Sequence, residues 1–347
     1  MSCLKIESAF KLNNVPIIVE FDNFYAPYAG VCIQSIIESA SQNNNYDIII
    51  ISHDISDSNK FLLKSLGKEL GNISIRIFDI RQLRECLSAN VSKEYLPPKN
   101  NLWVRNLSPY LFECYERVIV VDLDMLVQHD LAELMDISMG DFCLAGVRDL
   151  IWCGQYMENF PLQKHGKSFN ITMHEYWKTL VPIKEPMNYY NAGLTVWDCT
   201  NCRKQVDELS VIKGLLNEHF FYSHQDAINL VFDERIKFIE TKWNYQVQVN
   251  ERYARRMSYA PEEYRNEYNH GKQNPYVIHW LGNPKPYVCP DVELGYLWWE
   301  TAKRTPFIPH IFARMFDELT KRQEYYEKRY GTKVNTWDPA PKNINRE

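Results

Sequence analysis

Residues 117–127, reading Arg-Val-Ile-Val-Val-Asp-Leu-Asp-Met-Leu-Val, constrain this chain more than any other stretch. The β-branched run Val118, Ile119, Val120 and Val121 leads directly into two acids one residue apart, Asp122 and Asp124. A continuous β-branched run fits a strand buried on both faces, as in the middle of a parallel sheet. Open α/β sheets bind their ligands outside the carboxyl ends of such strands. Two carboxylates brought together there repel each other unless positive charge lies between them. A divalent cation is the simplest source of that charge.

The flanking sequence supplies the rest of a sheet. Residues 15–21, 47–52 and 73–80 are apolar runs of strand length, the first ending at Asp22-Asn23. Between them, residues 30–40 carry Val31, Ile33, Ile36 and Ile37 at helical spacing, and residues 58–70 put Leu62, Leu63, Leu66 and Leu70 on one face. This β-α-β-α-β order predicts a parallel, Rossmann-like sheet, and right-handed crossovers place Asp22 and the Asp122 pair along one edge of it. Further strands are expected at 142–147, running into Arg148-Asp149, and at 189–198, 236–240 and 276–280. Gly193 would let the backbone pass close to a ligand or a neighbouring strand.

Residues 102–115, with Arg105, read as a helix that Pro109 would break in two. A Pro97-Pro98-Lys99-Asn100-Asn101 breaker cluster precedes it. Residues 131–135 form a short helix, and another opens at His224-Gln225-Asp226, where an acid in the first turn faces the positive helix end. Residues 150–187 lack clean periodicity and hold Trp152, Tyr156, His165, His174, Tyr176 and Trp177. They fit either an acceptor-binding insertion or an excursion with its own small core. From Leu297 onward the chain looks like amphipathic helix packed on the core, with peripheral membrane contact as the alternative. Residues 337–347 look like a frayed end.

Composition excludes several classes. A formal net charge of −5 argues against a protein built mainly to bind nucleic acid. The nine cysteines are odd in number and scattered, and Cys199 and Cys202 have the spacing of half a zinc site with no second pair beside them. Reduced thiols in a cytoplasmic protein are expected. No signal peptide or membrane-span pattern is read. No Gly-x-Gly-x-x-Gly follows the first strand and no P-loop pattern occurs, which disfavours NAD, FAD and P-loop chemistry.

Asp-x-Asp alone is a weak signal. Here it ends a buried strand, and a later strand carries His279 with Gly282 and Lys285 close behind. Two carboxylates and an imidazole suit Mn²⁺ or Mg²⁺, the imidazole favouring Mn²⁺. Diphosphate oxygens would complete the metal, and Lys285 would neutralise the same phosphates.

The chain resembles glycosyltransferase family 8, the retaining GT-A-fold enzymes that use nucleotide-sugar donors and a divalent metal. The resemblance covers roughly residues 15–290. Its pieces are Asp22-Asn23 with Tyr25-Ala-Pro-Tyr28 and Ser35-Ile36, Arg105, Val120-Val-Asp-Leu-Asp124, Asp149, Asn191-Ala-Gly193, Gln225-Asp226 and His279-x-x-Gly282-x-x-Lys285-Pro286. It implies an α/β GT-A fold, with a mixed, mostly parallel sheet flanked by helices. The catalytic domain would span 1–290, with a nucleotide-binding half at 15–125, a sugar and acceptor half at 126–290, and a helical extension at 291–347.

The resemblance also implies roles. Asp22 and Asn23 would lie near the uracil and ribose. Asp122, Asp124 and His279 would bind Mn²⁺ (or Mg²⁺), with Asp122 also near the ribose and Leu123 among the donor-binding residues. Arg105, Asp149 and Asn191 would grip the donor sugar. Gly282 and Lys285 would hold the diphosphate. Gln225 would lie beside the anomeric carbon, with Asp226 on the donor sugar. The implied reaction moves glucose or galactose from UDP to a glycan or glycolipid, with attack from the face that UDP leaves. Self-glucosylation, as in glycogenin, and nucleotide-sugar binding without turnover are the alternatives. His224 is a departure, because family members commonly carry Asp-Gln-Asp where this chain has His224-Gln225-Asp226. A phosphatase of the haloacid dehalogenase type fits poorly: its motif wants Thr or Val where Leu126 stands.

Overall fold

The computed structural model describes residues 6–52, 54–81, 104–164 and 167–330. The expected strands form as β1 (Asn14–Glu20), β2 (Asn45–Ser52), β3 (Ile73–Asp79) and β4 (Arg117–Val121). After β4 come β5 (Met125–Val127), β6 (Leu144–Arg148), β7 (Pro161–Lys164), β8 (Lys167–Thr172), β9 (Tyr190–Asp198), β10 (Ile236–Phe238), β11 (Tyr245–Gln246) and β12 (Val277–His279). Seven of these build one sheet in the order β10-β6-β9-β4-β1-β2-β3. β4 is therefore central, and Val118 to Val121 are buried as a two-sided strand requires. β4, β1, β2 and β3 run parallel, and only β9 opposes its neighbours β4 and β6. The sheet is mixed and mostly parallel, flanked by helices. Ile17 and Ile18 of β1 pair with Ile119 and Val120 of β4, so Asp22 and Asp122 emerge along the same edge.

β9 bends where it reaches that edge. Its pairing with β6 jumps from Gly146–Thr195 to Val147–Asn191. Residues 192–194 bulge between the two registers, which re-aims the Asn191-Ala-Gly193 backbone.

The helix Ala26–Ser39 begins earlier than its apolar spacing suggests, because Pro27 is well suited to a first turn. Gly30 on that helix has no room for a side chain: a Cβ would overlap the Phe307 ring. Through this contact the helices Gly295–Ala302 and Ile308–Tyr330 join the core, with Trp298, Phe307 and Ile311 buried. Among the described residues no helix is long and apolar enough to cross a membrane.

Some elements differ from the expectation. The described part of the 102–115 segment is a 3-10 turn, Val104–Leu107, then a single helical turn, Ser108–Leu111, with Pro109 in its first turn. Residues 131–135 form a 3-10 rather than an α-helix, Leu131–Asp136. Residues 150–187 are more regular than they looked. They form the helix Leu150–Met157, the β7–β8 hairpin and the helix Met173–Thr179. The first was hidden because residues 150–155 are all buried, so no polar face creates a period. Trp152 and Tyr176 fill that region's core. Cys199 and Cys202 are buried free thiols. The 97–101 cluster, His165 and residues 337–347 lie outside the described residues.

Candidate active site

β4 ends at Val121, and the chain turns through Asp122, Leu123 and Asp124 straight into β5. β12 then runs antiparallel to β5 with His279 opposite Met125. Past the strand, Trp280 N donates to the Asp124 carbonyl at 3.2 Å. This register carries an imidazole from far along the chain to the acidic pair. One ligand atom each from Asp122, Asp124 and His279 lie within 4.8 Å of one another. Gly193 makes room for the ring: a Cβ there would lie 2.7 Å from His279 Nδ1. Its carbonyl meanwhile accepts from Asp122 N at 2.8 Å.

The trio fits a divalent metal. His279 is buried, and its Nδ1 faces Asn244 Oδ1 at 3.0 Å. Asn244 Nδ2 donates to Asn191 Oδ1 at 2.9 Å, so its amide oxygen is the one left to accept from the imidazole. The proton therefore sits on Nδ1, and the Nε2 lone pair points toward Asp124 Oδ1, 3.3 Å away. Two carboxylates and a neutral imidazole form a ligand set for Mn²⁺, or for Mg²⁺ with more oxygen partners. Two cations of the chain also reach the acids. Lys285 Nζ donates to Asp124 Oδ2, and Arg105 Nη1 donates to Asp122 Oδ1. Burial alone would raise the Asp124 pKa, but the Lys285 ammonium outweighs it and holds the carboxyl well below its ordinary range.

A buried amide chain connects this trio to a third carboxylate. Asn191 Nδ2 donates to Asp149 Oδ2 at 3.0 Å, and Gln225 Nε2 donates to the same oxygen at 3.0 Å. Gln225 Oε1 accepts from Ala192 N at 3.0 Å, in the β9 bulge. Asp149 Oδ1 accepts from Trp152 N at 2.9 Å and so caps the helix Leu150–Met157. The sequence His279–Asn244–Asn191–Asp149–Gln225 is thus one continuous hydrogen-bonded line.

The family pattern of Glycosyl transferase family 8 matches residues 16–288. The chain belongs to glycosyl transferase family 8. General stress protein A of Bacillus subtilis (strain 168) is 24% identical over 275 residues, which are 77% of this chain and 85% of that protein. A putative glycosyltransferase of Haemophilus influenzae is 26% identical over 66% of this chain and 62% of its own length. Among solved structures, the bifunctional glycosyltransferase WbbM in its apo form has a TM-score of 0.79 at 25% identity, covering 90% of this chain. The match spans only 53% of WbbM, about half its length. The galactosyltransferase LgtC, solved with donor and acceptor sugar analogs, has a TM-score of 0.58 at 19% identity over 84% of this chain and 96% of LgtC, a likeness of fold. The fold is the GT-A type of these neighbours.

Within this family 8 frame the remaining expected residues fall into place unevenly. Asp22 is half-buried, with Oδ1 accepting from Tyr25 N at 3.2 Å, and Leu123 is half-buried between the two acids. Asn23 is half-buried as well. Its Oδ1 accepts from Ser56 N at 3.0 Å and Asn59 Nδ2 at 2.8 Å, which ties it to the loop after β2 and the helix that follows. Asp226 departs from the expectation of direct sugar contact. It is fully buried, and its carboxylate accepts from the hydroxyls of Tyr176 and Tyr189 and from Tyr222 N, each at 2.6 Å. Burial pushes its pKa up to about 6 against these donors. Asn191 is buried too, and Oδ1 is committed to Asn244 and to Gly193 N.

Arg105 is anchored through its backbone, where Arg105 N and Val104 N donate to the buried Glu20 carboxylate. Arg105 Nη2 lies 3.3 Å from His224 Nε2. A guanidinium only donates, so Nε2 accepts and Nδ1 carries the hydrogen. Burial and the Arg105 charge push the His224 pKa down to about 4, leaving it neutral at pH 7. Gly282 has φ +64°, and Tyr253 covers it so closely that a Cβ would lie 2.6 Å from the Tyr253 Cζ. Asn244, Glu20 and Tyr253 were not visible as site residues in the sequence. Asn244 stands in Thr-Lys-Trp-Asn, a tetrapeptide with no motif of its own.

Proposed function

We propose that this family 8 protein is a metal-dependent, retaining transferase that moves glucose or galactose from a UDP-hexose to a glycan or glycolipid acceptor. The observation that carries the reading is the Asp122, Asp124 and His279 trio, with the imidazole tautomer set by Asn244. A divalent cation held by that trio, Mn²⁺ in preference to Mg²⁺, supplies a Lewis acid for a diphosphate leaving group.

The chain's own groups support the rest. Lys285 brings positive charge to the same point, where a leaving diphosphate gathers negative charge. Gly282 takes the left-handed backbone of the turn that leads to Lys285. Arg105 and His224 offer donors to sugar hydroxyls, and Asp149 offers carboxylate oxygen. Asn191 and Asp226 act by positioning: Asn191 holds Asp149, and Asp226 holds the chain before Gln225. The Gln225 amide is fixed at both ends and is a weak nucleophile, which favours attack by the acceptor from the face that UDP leaves. A leaving-group phosphate oxygen would then take the acceptor proton. Asp22 and Leu123 would border the nucleoside. We assign residues 1–290 to the catalytic domain and residues 291–347 to a helical extension, in a protein working in the cytoplasm.

The test is release of UDP from UDP-glucose and UDP-galactose, with and without Mn²⁺. Asp124→Asn is expected to abolish turnover and metal-dependent UDP binding while the protein stays folded. Undiminished turnover in that variant would sink the proposal.

A further inference from the structure

The helix Glu251–Ser258 forms one wall beside the site, and its position is tightly set. Tyr253 covers Gly282. At the other side, Gly154 lets the helix Leu150–Met157 approach so closely that a Cβ would lie 2.7 Å from the Arg256 carbonyl carbon. The wall therefore bridges the turn at Gly282 and the helix that Asp149 caps.

Arg252 and Arg256 are four residues apart and share one face of that helix. Like charges at this spacing oppose helix formation. Arg255 does not relieve them, because it takes the Glu158 carboxylate for itself at 2.8 Å. Among the described residues no carboxylate lies within ion-pair distance of Arg252 or Arg256. Half-buried Arg256 instead lies over the Phe160 ring, with Cζ 4.9 Å from its centroid. It also meets the fully buried side chain of Gln155. With the amide turned so that its oxygen faces the guanidinium, that oxygen lies 3.0 Å from Nη1 and its nitrogen meets the Tyr222 hydroxyl. Tyr222 in turn accepts from Gln225 N at 3.2 Å through its carbonyl. Arg256 is thus joined to Gln225 through Gln155 and Tyr222, and Arg252 lies one helical turn before it. In a chain of net charge −5 the pair does not reflect general basicity.

We infer that Arg252 and Arg256 form an anion subsite for the acceptor, taking a phosphate or carboxylate carried on the sugar that is to be glycosylated. This rests on the reading of the chain as a sugar transferase. The metal trio and Lys285 already provide for the donor diphosphate, whereas Arg256 is held on the Gln225 side with Arg252 one turn along the same helix face. Guanidinium forks match the geometry of phosphate and carboxylate, and Phe160 and Tyr253 give the sugar ring apolar faces to lie against.

Calorimetric titration of the full chain with UDP and Mg²⁺ present tests this, using glucose 6-phosphate against glucose. Glucose 6-phosphate is expected to bind about tenfold more tightly, the worth of one charge-assisted contact pair. Arg256→Gln, and separately the exposed Arg252→Gln, should each remove most of that preference while UDP affinity on the same samples holds. Equal binding of the two sugars by the unaltered protein would overturn the inference, as would a preference that survives both substitutions. UDP affinity falling in step with the sugar phosphate would place the guanidiniums on the donor and overturn it as well. UDP titrated alone tests the transferase reading separately.

Discussion

Asn244→Ala removes a residue whose importance rests entirely on what it touches. The His279 Nδ1–H would lose its acceptor at 3.0 Å, inside a region where both side chains are buried. Asn191 Oδ1 would keep only the Gly193 N–H. One buried donor left unpaired costs about 1–3 kcal/mol of folding stability. The larger effect concerns the metal. Without Asn244 nothing selects the tautomer with the Nε2 lone pair toward Asp124, and loss of such a partner costs about 10–100-fold in metal affinity. That range corresponds to about 1.4–2.7 kcal/mol. Mn²⁺ titration followed by electron paramagnetic resonance measures the affinity, and urea unfolding without metal measures the stability. Asn244→Asp keeps the acceptor for Nδ1–H but loses the donor to Asn191 Oδ1, so it is expected to bind Mn²⁺ more tightly than Asn244→Ala while remaining less stable than the unaltered protein. If Asn244→Ala loses stability yet binds Mn²⁺ as the unaltered protein does, the line from Asn244 through His279 to the metal is wrong.

Other outcomes follow from the same geometry. Gly282→Ala should lose about 2 kcal/mol, from a left-handed backbone and from overlap with Tyr253; in a Tyr253→Ala background the loss should be smaller, and equal losses in urea titrations would count against the packing argument. Gly30→Ala should destabilise by about 1–3 kcal/mol by overpacking against Phe307, with the helix Ile308–Tyr330 gaining protease sensitivity first. His224 titrates near 4 when folded against about 6.5 when unfolded, so the unfolded chain binds the proton first and stability falls as pH drops through that window. The full contribution is about 3 kcal/mol, and His224→Gln should flatten the stability profile between pH 6.5 and 4 by that order.

How much of this was legible beforehand depends on the range of the interaction. The central strand and its Asp122–Asp124 terminus are visible because burial on both faces demands a continuous β-branched run, and local composition records that demand. The β1, β2 and β3 strands and the helix Ala26–Ser39 are legible for the same reason. Gly193 reads in the sequence as a point of close approach, and only the folded structure identifies the approaching group as His279. The helix Leu150–Met157 escaped because it is buried without a polar face.

By itself the sequence determined the central strand, its acidic terminus and the sheet edge that presents it. Period, strand termini and the ordered motifs are properties of neighbours along the chain. The tertiary structure decided which of those residues face one another. The β5–β12 register brought His279 to the acids, and the β9 bulge joined Asn191 to Asn244 and Asp149. Three donors enclosed Asp226 and removed it from the open site, while Asn23 was drawn into the loop after β2. Each outcome depends on hydrogen bonds between segments far apart in the chain. Such pairings leave no periodic trace, because every polar side chain has many potential partners and only the packed fold selects among them.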